Sequence, residues 1–312
     1  LMGDSSQSLN AYQRAKEYFY ELETFSSKDS QWIIGEVKAL INMSAILLER
    51  SNVELAFSMA THGLERIRSF GNSSILSHEL IHLSAELNNV LVTLNIQVGS
   101  IDAAISYLET SIGARKSILT SETHGYEAKF GLSWDYSLQS DLLKKRGNLV
   151  DSYAVLDDAF IANGELLSSE PENLELRYQL ATFHLARADL LELQGDLDAA
   201  IESLERYQST LSELLAIDPS NIYYQSDIAD GLNYLGHVYE IQGNTAKAIN
   251  YFEEHLDLSE ELSRSDPQNM DWQFDLAASF NRLATINFSL GNLEKSIEYY
   301  LRDLEISKKL VE

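Results

Sequence analysis

The chain is 312 residues long, 45% hydrophobic, with three prolines, no cysteine and a formal net charge of −25. That hydrophobic fraction is ample for a core and excludes disorder as the default; the absence of cysteine excludes disulfides and thiolate chemistry and fits a reducing, cytoplasmic setting. Residues 147–290 carry 26 acidic and 6 basic side chains, or −20 of the total, which argues against nucleic acid, whose phosphates demand Lys and Arg, and for a basic partner or simple solubility.

At the start of the chain no signal peptide is expected. Leu1-Met2-Gly3-Asp4 lacks the basic-then-apolar order of a signal peptide, and with no apolar run read as long enough to span, no membrane is expected. A lone helix is predicted near 5–25, inside an N-terminal segment 1–26. Six helix pairs then follow at 27–74, 75–122, 123–170, 171–218, 219–266 and 267–312. Each helix is about 20 residues, or roughly 30 Å.

The pairs are found by counting. The turn Gly99-Ser100-Ile101 recurs as Gly147-Asn148-Leu149, Gly195-Asp196-Leu197, Gly243-Asn244-Thr245 and Gly291-Asn292-Leu293, always 48 residues on. Stepping back lands on Ser51-Asn52-Val53 and Gly3-Asp4-Ser5. Five residues after the turn stand Ser8, Ala56, Ala104, Ser152, Ala200, Ala248 and Ser296, all small. The next column reads Leu9, Phe57, Ile105, Tyr153, Ile201, Ile249 and Ile297, all apolar. A small residue beside an apolar one is what a close helix crossing needs. Pro171, Pro219 and Pro267 fall 24 residues after the later glycines, where proline stops one helix and suits the first turn of the next. Between these marks the apolar spacing is helical, as in Leu276, Phe280, Leu283 and Phe288. His124-Gly125 replaces the turn before the third pair and reads as a loop.

Leu235-Gly236, Tyr239, Gly243, Ala248, Phe252 and Pro267 stand where tetratricopeptide repeats carry Leu-Gly, Tyr, Gly, Ala, Phe and Pro, and over nearly its whole length the chain resembles that family. The usual period is about 34 residues; the extra length here is about two turns on each helix, so each keeps its face inward. The resemblance implies an all-α, right-handed solenoid of tandem antiparallel helix pairs. Long-period arrays with Asp-Pro-x-Asn-x-x-Trp between units, here Asp266 through Trp272, are similar to those attached to bacterial signalling proteins such as kinases and caspase-like proteases. Trp32 lies 240 residues before Trp272, five periods. Ile75 and Thr123 depart from the proline position and Ser51 from the glycine.

One motif looks catalytic. His78-Glu79-Leu80-Ile81-His82 is the H-E-x-x-H of zinc peptidases, with both histidines on one helix face and Glu79 placed to activate water. The columns offset by 48 favour a packing role. His78 aligns with Tyr126, Leu174, Ile222 and Met270, and His82 with Phe130, Tyr178, Ser226 and Phe274. Glu79 aligns with Glu127, Glu175, Tyr223 and Asp271, and the acids in this column suit a helix N-terminus. No third ligand stands at a familiar spacing, so no metal or cofactor and no catalysis are expected, with His78 and His82 the metallopeptidase alternative.

The first helix of each pair carries the other signal, since the resemblance implies that it lines a concave groove. Ten residues before the turn stand Ile41, Asn89, Ser137, Leu185, Asn233 and Asn281, and four later Ala45, Thr93, Asp141, Asp189, His237 and Thr285. In peptide-binding relatives an asparagine there holds the ligand backbone, because its amide both donates and accepts; the alternative is a hydrogen bond to a neighbouring helix. The expected groove set is Asn89, Thr93, Asp230, Asn233, His237, Glu240, Asn281 and Thr285, with Asp230 and Glu240 favouring a cationic ligand. The reading is a protein- or peptide-binding scaffold or sensor region of a larger signalling protein, with self-assembly as the alternative. The apolar last helix, with Tyr299, Tyr300, Leu304, Ile306 and Val311, is expected to be covered by further repeats, another domain or a second copy.

Overall fold

A computed structural model describes residues 10, 12–14, 17–18, 30–71 and 76–311. Gly3, Asp4, Ser8, Leu9, Ile75 and most of the helix predicted near 5–25 lie outside the described residues; positions 10, 12–14 and 17–18 are helical. The rest is helix and short turns, with no strand among the described residues. The helices are α1 (Ser30–Glu49), α2 (Val53–Gly71), α3 (His78–Gln97), α4 (Ile101–Ser117), α5 (Gly125–Lys145), α6 (Leu149–Ser169), α7 (Leu174–Gln194), α8 (Leu197–Ile217), α9 (Ile222–Ile241), α10 (Thr245–Ser265), α11 (Met270–Ser289) and α12 (Leu293–Val311). They form two compact lobes, Leu1–Ser169 and Glu170–Glu312. In each lobe three helix pairs stack in sequence, every helix packing most heavily on its own partner and then on the next pair.

The turn inside each pair shows why the glycine recurs. Gly99, Gly147, Gly195, Gly243 and Gly291 all have φ between +76° and +81°, a left-handed conformation in which a Cβ meets the backbone. That geometry closes a two-bond cap. At Gly195 the glycine N–H bonds Glu192 O at 2.9 Å, and the next N–H, of Asp196, bonds Leu191 O at 2.9 Å, the Schellman pattern. Asp196 then caps the following helix, its carboxylate accepting from Ala199 N at 3.2 Å; Asn148 and Asn244 do the same. Two residues thus end one helix and start another. Ser51 takes the left-handed place without being glycine, at φ 57°, with the same pair of bonds to Leu48 O and Leu47 O.

The proline mark works differently from the sequence expectation. Pro171, Pro219 and Pro267 lie three residues before the helix that follows, not in its first turn. Each is the second residue of a turn closed by a bond such as Asn173 N to Glu170 O, 3.1 Å, where the fixed proline φ is pre-set. The asparagine two residues on is the true start signal. Asn173, Asn221 and Asn269 each accept from two backbone N–H groups of α7, α9 and α11. At the third pair, which lacks both residues, Gly125 opens α5 instead of belonging to a loop; a Cβ there would lie 2.6 Å from Leu119 O.

Packing follows the small column. Ala56, Ala104, Ser152, Ala200, Ala248 and Ser296 are all fully or almost fully buried. Twelve residues earlier, across the crossing, stand Ser44, Val92, Ser140, Ala188, Gly236 and Ala284, also buried. The backbones come close enough that Ser152 Oγ donates to Ser140 O at 2.7 Å and Ser296 Oγ to Ala284 O at 2.9 Å. The adjoining apolar column is buried at Ile105 and Ile201, but Phe57 is 37% and Ile297 59% exposed. Phe288 also departs from the core face assigned to it: it is exposed, whereas Leu276, Phe280 and Leu283 are buried. Its step of five from Leu283 turns it about 140° around the helix.

One further expectation is corrected. Residues 31–48 of α1 have mean hydropathy 1.3 over 18 residues and are long and apolar enough to cross a membrane. In the fold α1 is the first member of a pair, with Ile33, Val37 and Leu47 in the core and Glu36 buried against Arg66 Nε at 2.9 Å.

The turn geometry predicts effects of opposite sign. Nothing lies within 4 Å of a Cβ built on Gly195, so Gly195→Ala suffers backbone strain alone and lowers stability by about 1–2 kcal/mol. Ser51→Gly relieves the same strain and raises it by up to about 1 kcal/mol after the entropy of glycine is deducted. Urea denaturation of the two variants and the parent checks both.

Candidate functional site

Between consecutive pairs of a lobe, four register positions meet: one on a first helix, two on its partner and one on the next first helix. In the N-terminal lobe the first such junction is apolar, and a Cβ on Gly63 would lie 2.8 Å from Leu87. The next is polar. Asp135, fully buried, accepts from Asn89 Nδ2 at 2.7 Å, Ser111 Oγ at 2.8 Å and Arg115 Nε at 3.0 Å. Burial pushes the Asp135 carboxyl above its usual range, with Arg115 the chief opposing influence. Arg115 is itself buried and lies over Gly131, where a Cβ would stand 2.0 Å from its Nη1. The C-terminal lobe repeats the alternation. Gln208 and Tyr207 fill the space left by Gly231, where a Cβ would lie 2.5 and 2.9 Å from them, and at the following junction Ser279 Oγ lies 3.1 Å from His255 Nδ1 and 3.2 Å from Ser259 Oγ. At the last pair Asn281 Nδ2 and Ser307 Oγ bond Asp303 at 2.8 and 2.9 Å.

Two hollows open beside these polar junctions. One in the N-terminal lobe, of about 420 Å³, is lined by His82, Glu86, Asn89, Arg115, Glu127, Phe130, Gly131 and Trp134. One in the C-terminal lobe, of about 530 Å³, is lined by Glu240, Phe274, Ala277, Ala278, Asn281, Arg282, Thr285, Asp303 and Ser307. Counted along the repeat they are the same place: Phe274, Ala278, Asn281 and Ser307 each lie four periods after His82, Glu86, Asn89 and Arg115. A third, water-sized space of about 10 Å³ is lined by Asp230, His255, Trp272 and Asp275 among others.

The expected groove residues are therefore divided. Glu240, Asn281 and Thr285 share the C-terminal hollow. Asn233 does not line it, and its Oδ1 is buried without a partner. His237 Nε2 pairs with Glu192 at 3.3 Å. Asp230 faces the water-sized space, its pKa raised to about 6 by burial and by Asp275 and Asp227. Asn89 is committed to Asp135, and the Thr93 and Thr285 hydroxyls return to their own helix carbonyls at Asn89 and Asn281. Arg115, Asp135 and Asp303 were not among the expected residues. A signal existed: Arg115 and Asp135 are opposite charges in two columns otherwise free of charge, Ile67, Asn163, Leu211, Ser259 and Ser307 in one, Leu87, Phe183, Gly231 and Ser279 in the other.

Sequence profiles of the tetratricopeptide repeat match residues 146–222, 232–265 and 276–312. Those segments of the chain are tetratricopeptide repeats. No curated protein sequence matches it. Among solved structures it is similar to BtubC (BKLC) from P. vanneervenii, at 14% identity over 84% of this chain and 93% of that one, with a TM-score of 0.64. It is also similar to a Signal Transduction ATPase with Numerous Domains that has a tetratricopeptide repeat sensor, from Pyrococcus horikoshii, at 14% identity over 97% of this chain and 41% of that one, TM-score 0.56. The apo form of RapI aligns at 13% identity over 88% of this chain and 98% of that one, TM-score 0.55. At such identities the likeness is one of fold. Tetratricopeptide repeats bind protein or peptide partners, and this chain is a scaffold of that kind.

In this tetratricopeptide array the zinc-like motif opens α3, where Ser77 caps the helix by accepting from Leu80 N at 3.3 Å. Its members point apart. Glu79 is paired with Lys38 at 2.6 Å, His78 Nδ1 lies 2.8 Å from Ser121 Oγ, and His82 Nε2 lies 3.1 Å from Glu86. No group of three His, Asp or Glu able to hold a metal forms among the described residues. His78 is exposed, so its column does not make it a packing residue.

The polar junctions yield two predictions. Asp135→Ala leaves Arg115 buried and unpaired and lowers stability by about 3–5 kcal/mol, whereas replacing both, Arg115→Met with Asp135→Leu, restores most of it; denaturant midpoints of the three variants check this. At the other junction burial, and then Arg282, lowers the His255 pKa from 6.5 to about 4. The unfolded chain takes its proton near 6.5 and the fold not until about 4, so the neutral imidazole's contribution is complete above 6.5 and lost as pH falls between those values. His255→Gln flattens that acid limb by roughly 2–3 kcal/mol. His184, also lowered to about 4, keeps a remnant. Urea melts at neutral pH and at the acid end of that window measure the difference.

Proposed function

We propose that the C-terminal lobe holds an extended, basic segment of a partner protein in the hollow beside α9, α11 and α12. The observation that carries this reading is the convergence of Glu240, Asn281 and Thr285 on one open space. Exposed Phe274 stands beside them as an apolar contact. Asn281 gives its amide N–H to Asp303, which leaves its carbonyl oxygen to accept from a ligand main chain. Glu240 and Asp303 face the single cation Arg282 among the lining residues, so the space favours positive charge. A scaffold or sensor region within a larger signalling protein is the setting we infer. The long-period resemblance supports it, together with the fold shared with a sensor-bearing signalling ATPase.

Self-association is the second reading, favoured by one observation. Leu293, Ile297, Leu301 and Leu304 form an exposed stripe along α12, spaced as one helix face.

Removing a hydrogen bond at a desolvated site costs about 1–3 kcal/mol, so Asn281→Ala weakens binding of a Lys- and Arg-rich peptide panel about tenfold or more. Glu240→Gln weakens it less and reduces its salt dependence. Melting temperature measured beside affinity separates a ligand contact from a structural one. Unchanged affinity in a folded Asn281→Ala chain overturns the groove reading and makes self-association the leading account.

A further inference from the structure

The hollow of the N-terminal lobe differs in chemistry from its counterpart four periods on. Its polar lining is already partly committed. Arg115 gives its Nε to Asp135, and Asn89 gives its Nδ2 to the same carboxylate. His82 Nε2 lies against Glu86, 3.1 Å away. With Nε2 donating, what those bonds leave over is acceptors: Asn89 Oδ1 and His82 Nδ1 are both enclosed without a hydrogen-bond partner. In front of them stand two carboxylates. Glu86 is part-exposed; burial pushes its carboxyl up, but the hydrogen bond from His82 and the nearby cations Arg115 and Lys38 hold its pKa below the usual value. Glu127 is exposed on the first turn of α5. Arg115, the one Lys or Arg among the lining residues, is matched by buried Asp135, so Glu86 and Glu127 give the opening its charge. Phe130 and Trp134, one turn apart on α5, form an aromatic wall to the same space.

We infer that this hollow is a binding site for an organic cation, an alkylammonium or guanidinium group. Such a group supplies the N–H donors that leftover acceptors and carboxylates require, and its charge is attracted to an aromatic face within about 6 Å. Inorganic metal is a poor match, since no three ligands converge among the described residues. At about 420 Å³ the space is of the size that takes a small molecule or one long side chain. The cation comes either as a free amine or as a Lys or Arg side chain of a partner. The site lies in the other lobe from the groove proposed above and does not depend on it.

Titration of the full chain with spermidine, with free arginine amide and with an arginine-rich peptide, followed by calorimetry and tryptophan fluorescence, tests this. Saturable binding is expected, weakening as salt rises. Glu86→Gln and Glu127→Gln each weaken it about tenfold, equivalent to about 1.4 kcal/mol, and Trp134→Leu abolishes the fluorescence response. Binding by the free amines identifies a small-molecule ligand; binding by the peptide alone, still sensitive to Glu127→Gln, identifies a side chain of a partner. Circular dichroism of the glutamine variants confirms that they fold. No saturable binding by any of the three probes, or binding unchanged in the folded Glu86→Gln, Glu127→Gln double variant, overturns the site. Loss of peptide binding in Asn281→Ala alone, with these variants unaffected, supports the C-terminal groove and overturns this one.

Discussion

Within every pair, two backbones cross at a point where neither helix can carry a large side chain. Ala56, Ala104, Ser152, Ala200, Ala248 and Ser296 occupy one side of that crossing, and they are buried without exception. On the other side the largest residue is Val92, and at one pair only glycine fits: a Cβ on Gly236 would sit 2.5 Å from the ring of Phe252. Close crossing brings dispersion contacts along the whole interface, and it sets the angle at which the next pair must stack. Turns, junctions and hollows all inherit their positions from it.

The second constraint is the supply of hydrogen bonds at helix ends. The twelve helices from Ser30 to Val311 leave many terminal N–H and C=O groups unpaired, and this chain answers with two devices used repeatedly. The left-handed glycine followed by Asn or Asp ends one helix and caps the next. The Pro-x-Asn turn does the same between pairs, with proline shaping the turn and asparagine capping. Ser51 shows that the backbone geometry is required even where the residue suited to it is absent.

Where pairs meet, the chain alternates between filling space and satisfying charge. Gly63 with Leu87 and Gly231 with Tyr207 are fits of volume. Asp135 with Arg115, and His255 with Ser279, are fits of polarity. A buried pair returns little net stability because both charges are desolvated, so the polar junctions are better understood as devices that define register and leave polar groups beside an opening. In the N-terminal lobe those leftover groups are acceptors, backed by carboxylates and an aromatic wall. In the C-terminal lobe the equivalent place holds Asn281 and Asp303 with an exposed phenylalanine. One repeat position thus presents two chemistries.

Periodic features were legible in the sequence because each obeys a rule that acts over a few residues. The glycine turns, the small column and the helix pairs needed only a count of 48 and the stereochemistry of one turn or one crossing. The candidate site was legible only in part. Column position placed Asn89, Asn233 and Asn281 together, yet one is held by a buried aspartate, one has its carbonyl enclosed, and one stands open. Their partners sit 46 residues on for Asn89 and 22 on for Asn281, so side-chain commitments depend on which residue the neighbouring helix delivers. The same holds for the zinc-like motif, whose three members are drawn to Ser121, Lys38 and Glu86. Local stereochemistry made the repeat readable from residue order alone, whereas the fate of each polar atom was decided by tertiary packing, because hydrogen bonds at 3 Å are settled by side chains that distant parts of the chain bring into reach.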